Sequence, residues 1–104
     1  MTQLCQLWLT CKDNAEASTI AQKLLEQKLI ACAKQLPVSS DFLWHGKIDH
    51  NDEILLVMDS RPDLFEKIEQ EVAALHSYDT FVLQAIPVSK SSKAANKWLE
   101  QELQ

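Results

Sequence analysis

The sequence predicts an α+β fold, in which antiparallel strands and amphipathic helices follow one another along the chain. Apolar and polar residues alternate in several short segments, which is typical of half-buried strands. Other segments carry apolar residues three and four positions apart, and a Ser or Asp that can cap a helix precedes each of them. A chain of 104 residues corresponds to one domain, so we assign residues 1–104 to it.

The first predicted strand is followed closely by the first predicted helix. Residues 4–11 alternate as a strand whose odd-numbered residues are apolar. Asp13 is the predicted N-cap of the helix, with Glu16 as its capping-box partner. Apolar residues at helical spacing then extend this helix to about residue 27 or 28.

A two-stranded hairpin is predicted next. Residues 30–36 form a short apolar stretch, and residues 39–48 are predicted to form a long strand. The polar residues 49–52 predict the turn, because Asp and Asn favour local hydrogen bonds, and residues 53–59 form the returning strand. Gly46 is the only glycine of the chain, and its place inside a strand predicts a bulge.

The second half of the chain is predicted to contain a helix, a fourth strand and a last helix. Ser60 is the predicted N-cap of a helix that reaches Leu75, and residues 80–88 form the strand. Ser91 or Ser92 caps the C-terminal helix. This order of elements is that of a ferredoxin-like βαββαβ sandwich with an added helix.

Both faces of the predicted sheet are apolar, which predicts that the chain associates. Trp8 lies opposite the apolar face of its strand, and Phe42, Trp44 and Ile48 share one side of the second strand. An exposed face of this kind exceeds what soluble monomers usually carry. We expect a second copy of the chain to cover it; the alternative is a monomer in which the last helix, with Trp98, covers it entirely.

Composition excludes several classes of function. A formal net charge of −5 argues against nucleic-acid binding, which needs a basic surface. No segment approaches 18 apolar residues and the N-terminus lacks a basic stretch, so we expect neither a membrane span nor a signal peptide. Cys5, Cys11 and Cys32 are odd in number and include no C-x-x-C pair, so we expect neither a disulfide framework nor a compact zinc site, and reduced thiols in a cytoplasmic protein are the default. Cys5 and Cys11 share a face of the first strand and are expected to pack in the core.

No sequence motif of a known catalytic type is present. The chain has no phosphate-binding glycine loop, no H-E-x-x-H and no G-x-S-x-G. Its only arginine, Arg61, falls in the first turn of a predicted helix rather than in an anion-binding loop. We therefore expect a protein that is not an enzyme.

Several motifs in the same order resemble the CutA divalent-cation-tolerance family. Residues 44–48 (WHGKI) and 52–56 (DEILL) resemble its W-E-G-K-I/V and D-E-x-L-L hairpin motifs. The further matches are residues 21–33, the H-x-Y-acid motif at 76–79, the A-I-P-V motif at 85–88, and Trp98. The resemblance covers roughly residues 9 to 99.

The resemblance implies a ferredoxin-like subunit in a tight homotrimer and a link to copper and other divalent cations. Some positions depart from the family pattern. His45 replaces an acidic residue, Ser77 replaces a proline, and Val82 stands where a glutamate is common. A cysteine that some members carry on the first strand aligns with Leu9, although Cys11 lies two residues further on.

The candidate metal ligands are His76, Asp79 and His45. Imidazole suits copper and zinc, and a carboxylate close to His76 can ligate the metal or orient the ring. The alternatives are a helix-end role for His76, bonded to terminal carbonyls, and an exposed strand position for His45.

Three functions remain open at this stage. The first is a trimeric protein that binds divalent cations in a cleft between subunits, with copper as the leading candidate ion. The second is a small-ligand-sensing trimer, similar in architecture to PII signalling proteins, that acts through a protein partner. The third is a purely structural trimer.

Overall fold

The computed structural model describes residues 3–104 and consists of one four-stranded antiparallel sheet with three helices. Met1 and Thr2, on which the expectation of no signal peptide partly rests, lie outside the described residues. The elements are β1 (Leu4–Cys11), α1 (Asn14–Glu26), β2 (Cys32–Trp44), β3 (Lys47–Ser60), α2 (Phe65–Leu75), β4 (Leu83–Val88) and α3 (Lys93–Glu102). The strand order β2-β3-β1-β4 confirms the ferredoxin-like α+β prediction.

The hydrophobic core lies between one face of the sheet and the helices. The odd-numbered residues of β1 pair with the even-numbered residues of β3, as in Leu7–Met58 and Leu9–Leu56, so these side chains share a face. They pack in one cluster with the buried residues of α1 and α2, which include Ile20, Leu24, Ile68 and Val72. The predicted inward face of β1 is therefore confirmed, including its two cysteines.

The hairpin differs from its prediction, because the turn lies at His45 and Gly46. Trp44 pairs with Lys47, so only two residues connect β2 and β3. Both have left-handed backbone angles, φ +51° at His45 and +78° at Gly46, as a type I′ turn requires. The predicted bulge at Gly46 and the predicted turn at residues 49–52 are therefore wrong, and residues 49–52 belong to β3.

The strand β2 also runs without a break through the proline that separated its two predicted segments. Pro37 is tolerated because β2 is the edge of the sheet, where a missing backbone donor costs no ladder hydrogen bond. Since β1 pairs only with residues 54–60 of β3, the hairpin continues past the sheet as a two-stranded ribbon. We call residues 38–53 the hairpin ribbon.

The predicted helix caps are confirmed at two of three helices. Asp13 Oδ1 accepts from the Glu16 backbone N–H at 2.8 Å, and Ser92 Oγ accepts from Ala95 N–H at 3.3 Å. Ser60 is not a cap, because its hydroxyl donates to the Leu29 carbonyl at 2.6 Å from the buried end of β3. A short 3₁₀ turn, Pro62–Leu64, leads into α2 instead.

The second face of the sheet and the hairpin ribbon stay largely uncovered in the single chain. Trp8 is 40% exposed and Trp98 42% exposed, so α3 does not cover the whole face. On the ribbon, Leu43 is 74% and Ile48 is 83% exposed. Leu43 and Ile48 pair with each other, which places Ile48 opposite to Trp44 rather than beside it as predicted.

No helix among residues 3–104 is long and apolar enough to cross a membrane.

Candidate functional site

His76 lies at the C-terminal end of α2, and its side chain is completely buried. Its Nε2 is 2.9 Å from the backbone carbonyl oxygen of Thr10, which can only accept, so Nε2 carries the proton. Its Nδ1 accepts from the Tyr78 backbone N–H at 3.0 Å. The ring is therefore held as one neutral tautomer. The carbonyl it meets belongs to β1 and not to the end of α2.

The residues after His76 close over its ring and shorten the fourth strand. The Phe81 ring stacks on the imidazole at a centroid distance of 5.4 Å, and the Tyr78 ring lies at 4.9 Å. This segment wraps around a side chain and cannot also pair with β1. Consequently β4 begins at Leu83 instead of residue 80, and its pairing with β1 ends at Leu9.

Glu16 connects the start of α1 to the segment after α2. Its Oε1 accepts from the Lys12 backbone N–H at 3.0 Å, and its Oε2 accepts from Ser77 N–H at 2.8 Å. Burial opposes ionisation, but the hydrogen bonds from Ser77 and Lys12 outweigh it and lower the pKa of Glu16. Its Oε1 lies 3.8 Å from His76 Nδ1, so a carboxylate faces the unprotonated ring nitrogen.

Cys11 completes a group of three possible metal ligands. Its thiol, the Glu16 carboxylate and the His76 ring offer ligand atoms that all lie within 4.8 Å of one another. Burial, followed by the charges of Glu16 and Glu53, raises the pKa of Cys11 to about 12, so the thiol is protonated at neutral pH. We call these residues the Cys11–Glu16–His76 cluster.

Tyr78 links this cluster to the base of the hairpin ribbon. Its hydroxyl donates to Glu53 Oε2 at 2.9 Å, and Glu53 is a buried acidic residue of β3. Burial and the Glu53 carboxylate together raise the pKa of Tyr78 to about 12, so the phenol stays a donor. One residue thus bonds to His76 through its backbone and to the ribbon through its side chain.

An open cleft of about 520 Å³ lies beside Glu53, between the β1–α1 turn and the ribbon. Its lining carries both signs of charge, from Lys12 and from Asp13, Asp52 and Glu53. The remaining walls come from Asn14, Ile54 and residues 37–39. Charged side chains of both signs therefore line the same open cleft.

Within one chain, the structure does not bring the three predicted ligands together. Asp79 is exposed, three residues beyond buried His76. His45 is exposed at the ribbon turn, with its ring 4.8 Å from that of Trp44. His76 donates to the carbonyl of Thr10, and Thr10 pairs with Leu55 of β3. The ribbon turn lies roughly 30 Å along β3 from Leu55, so His45 is far from His76 within one chain.

His50 forms a second group of charged side chains, on the ribbon itself. Its Nδ1 lies 2.6 Å from Asp41 and its Nε2 lies 3.2 Å from Asp52. Hydrogen bonds to Asp41 and Asp52 raise the pKa of His50. Because the carboxylates meet opposite ring nitrogens, this arrangement suits a protonated imidazole rather than a chelated cation.

Sequence reasoning missed Cys11 and Glu16 as possible ligands, because each already had a structural explanation as a core residue and a capping residue. One signal was available. Cys11 ends β1 and Glu16 lies in the first turn of α1, so both were predicted near the same end of the sheet. His76 joins Cys11 and Glu16 only because α2 ends near the same end of the sheet, which the sequence pattern does not show.

Comparison with known sequences places the chain among proteins of one family. The model of the CutA1 divalent ion tolerance protein family matches residues 5–102. A "divalent-cation tolerance protein CutA" of Archaeoglobus fulgidus is 35% identical over 98 residues, which are 94% of this chain and 96% of that protein. The CutA protein of the same name from Pyrococcus horikoshii is 30% identical over 96 residues, 92% of this chain and 94% of that protein.

Solved structures agree with the sequence comparison. The structure of the Archaeoglobus fulgidus CutA, described as periplasmic, superposes with a TM-score of 0.94 at 34% identity and covers 97% of this chain and 99% of that one. The Thermus thermophilus protein gives a TM-score of 0.94 at 27% identity, with the same coverage. With its sequence and its fold in agreement, the chain belongs to the CutA1 divalent ion tolerance family.

Proposed function

We propose that this protein is a homotrimer that binds divalent cations, with copper as the leading candidate ion. By binding these ions it contributes to tolerance of them. The names of its relatives as divalent-cation tolerance proteins support the proposal. His76 is the principal ligand in this proposal. Asp79 and His45 are additional ligands that neighbouring subunits bring closer.

The hydrogen bonding of His76 is the observation that carries the proposal. Histidines that bind metals usually donate their second ring N–H to a backbone carbonyl or a carboxylate, which fixes the tautomer and the ring orientation. Nε2–H of His76 does this with the Thr10 carbonyl, and Nδ1 faces the Glu16 carboxylate at 3.8 Å. Imidazole nitrogen and carboxylate oxygen are both ligands of divalent copper and zinc.

The exposed apolar surface supports the trimer. Leu43, Trp44 and Ile48 on the ribbon, and Trp8 on the open face of the sheet, would gain from burial against other copies. The ribbon extends past its own sheet, so its tip can reach a neighbouring subunit but not its own His76. Light scattering after gel filtration tests this; a mass near 11.8 kDa, that of one chain, would refute the trimer.

Calorimetric titration with Cu²⁺ and Zn²⁺ tests the metal site. We expect His76→Ala to weaken binding at least roughly tenfold, since a ligand is lost. The matched control is His50→Ala, which removes an exposed histidine paired with carboxylates on the ribbon and should leave binding unchanged. Equal binding by the wild type and His76→Ala would remove His76 from the site. His45→Ala and Asp79→Ala then measure the smaller contributions.

The cleft beside Glu53 favours a second candidate, a small-ligand-sensing trimer that acts through a protein partner. Its mixed charges suit a small polar molecule, with Lys12 for an anionic group and Glu53 for a donor. Capture of a partner protein only when a small metabolite is present would support this candidate. A purely structural trimer would show neither metal binding nor ligand-dependent capture.

We propose that this protein has no catalytic activity. We also propose that it is located in the cytoplasm. The second point needs a direct test, since the Archaeoglobus fulgidus relative is described as periplasmic. Cell fractionation with a marker enzyme for each compartment decides it, and recovery outside the cytoplasmic fraction would contradict the assignment.

A further inference from the structure

We propose that Cys11, Glu16 and His76 form a buried, thiolate-containing site that selects thiophilic divalent cations of the zinc and cadmium class. The proposal rests on the proposed cation-binding function and names a site and a selectivity for it. It extends the ligand set predicted from sequence, because Cys11 and Glu16 lie next to His76 within one chain, whereas Asp79 and His45 do not belong to this cluster. Its basis is the meeting of one sulfur, one oxygen and one nitrogen ligand within 4.8 Å of one another.

The distances between the ligand atoms are close to those that a tetrahedral cation needs. Bonds of about 2.3 Å to sulfur and about 2.0–2.2 Å to nitrogen and oxygen place neighbouring ligand atoms about 3.5 Å apart. Glu16 Oε1 and His76 Nδ1 are already 3.8 Å apart. The longest ligand–ligand distance, at most 4.8 Å, therefore has to shorten by up to about 1.3 Å when a cation binds.

Neighbouring backbone groups orient two of the three ligands. The Thr10 carbonyl holds the proton on Nε2, so Nδ1 is the ring nitrogen that carries a lone pair. Two backbone N–H groups, from Lys12 and Ser77, hold the Glu16 carboxylate in its ionised form. These contacts come from β1, the β1–α1 turn and the segment after α2, so the folded chain defines the site.

Cation binding changes the bonding of two residues. The cation replaces the proton of the Cys11 thiol, which leaves to solvent, and a metal–sulfur bond forms. At Nδ1 the cation takes the lone pair that now accepts from Tyr78 N–H. Tyr78 also bonds to Glu53 at the base of the hairpin ribbon, so loading of the site is expected to shift the segment after His76 relative to the ribbon.

A sulfur ligand determines which cations enter. Thiolate favours zinc, cadmium and monovalent copper, whereas magnesium and calcium prefer oxygen ligands only. Three protein ligands leave a fourth position for water, as in zinc sites that exchange ligands. The site is therefore expected to bind cadmium and zinc and not to bind magnesium or calcium at equal concentration.

The test is a Cd²⁺ titration that follows the ultraviolet charge-transfer band of a cadmium–thiolate bond. We expect one thiolate band per chain in the wild type, loss of the band in Cys11→Ser, and at least a roughly tenfold loss of Cd²⁺ affinity. The matched controls are Cys5→Ser, which changes the other buried cysteine of β1 about 20 Å along the strand, and Cys32→Ser. Both controls should keep the band.

Each outcome separates this proposal from the proposed function. A band that persists in Cys11→Ser overturns the proposal, and so does wild-type protein that gives no band. Metal binding that survives Cys11→Ser but not His76→Ala would retain the proposed function without the thiolate. If Cys11→Ser does not fold by circular dichroism, the ¹¹³Cd chemical shift of the wild type decides, because a shift typical of nitrogen and oxygen ligands alone overturns the proposal.

Discussion

Histidine meets carboxylate in two regions of this molecule, and the two regions handle the pair in opposite ways. In the Cys11–Glu16–His76 cluster the imidazole is buried, neutral and held by backbone groups. On the hairpin ribbon, His50 is exposed between Asp41 and Asp52, which favour its protonated form. Residue types alone do not make a metal site. A metal site also needs an unprotonated ring nitrogen close to other ligand atoms, and of these two regions only the buried cluster has one.

The largest expected effect is that of truncating the buried histidine. Without metal, His76→Ala should lower the free energy of unfolding by about 3 kcal/mol, because it leaves a cavity and strands the Thr10 carbonyl and Tyr78 N–H. Urea denaturation in the presence of a chelator measures this. The control His50→Ala removes an exposed ring and should change stability little; comparable losses in both variants would erase the contrast between the regions.

The next effect concerns the turn at the tip of the ribbon. Gly46→Ala should lower the free energy of unfolding by about 1–2 kcal/mol, because an alanine is strained at φ +78°. The added Cβ meets nothing within 4 Å, so the loss comes from the backbone alone. Gly46→Asn is the control, since asparagine tolerates this region better. An alanine variant as stable as the wild type would contradict the turn assignment.

The smallest effect is the pH dependence of the ribbon. The pKa of His50 is raised above its ordinary value of 6.5. Its contribution to stability is therefore fully present below pH 6.5 and is lost as the pH rises through the folded-state pKa. Asp41→Asn should move the His50 titration back toward 6.5, as measured by NMR of the imidazole protons. An unchanged titration would show that Asp41 does not contact the ring in solution.

The two regions were also unequally predictable from sequence. The strand β1 and the Asp13 cap were predicted correctly because they depend on residues close together in the chain. The hairpin was misplaced because a type I′ turn is usually signalled by Asn-Gly or Asp-Gly, and here His45 occupies the first position. His76 was identified, but its partners Cys11 and Glu16 were not, since they lie far earlier in the chain.

The sequence by itself determined the order of the elements, the inward face of β1 and the caps of α1 and α3. These follow from periodicity and from hydrogen bonds between residues a few positions apart. Only the tertiary structure decided that Cys11, Glu16 and His76 meet, because the end of β1, the start of α1 and the end of α2 converge at one end of the sheet. The tertiary structure also decided which ring nitrogen of His76 keeps its lone pair, because the Thr10 carbonyl binds the proton on Nε2. This carbonyl is available because the pairing of β4 with β1 ends at Leu9.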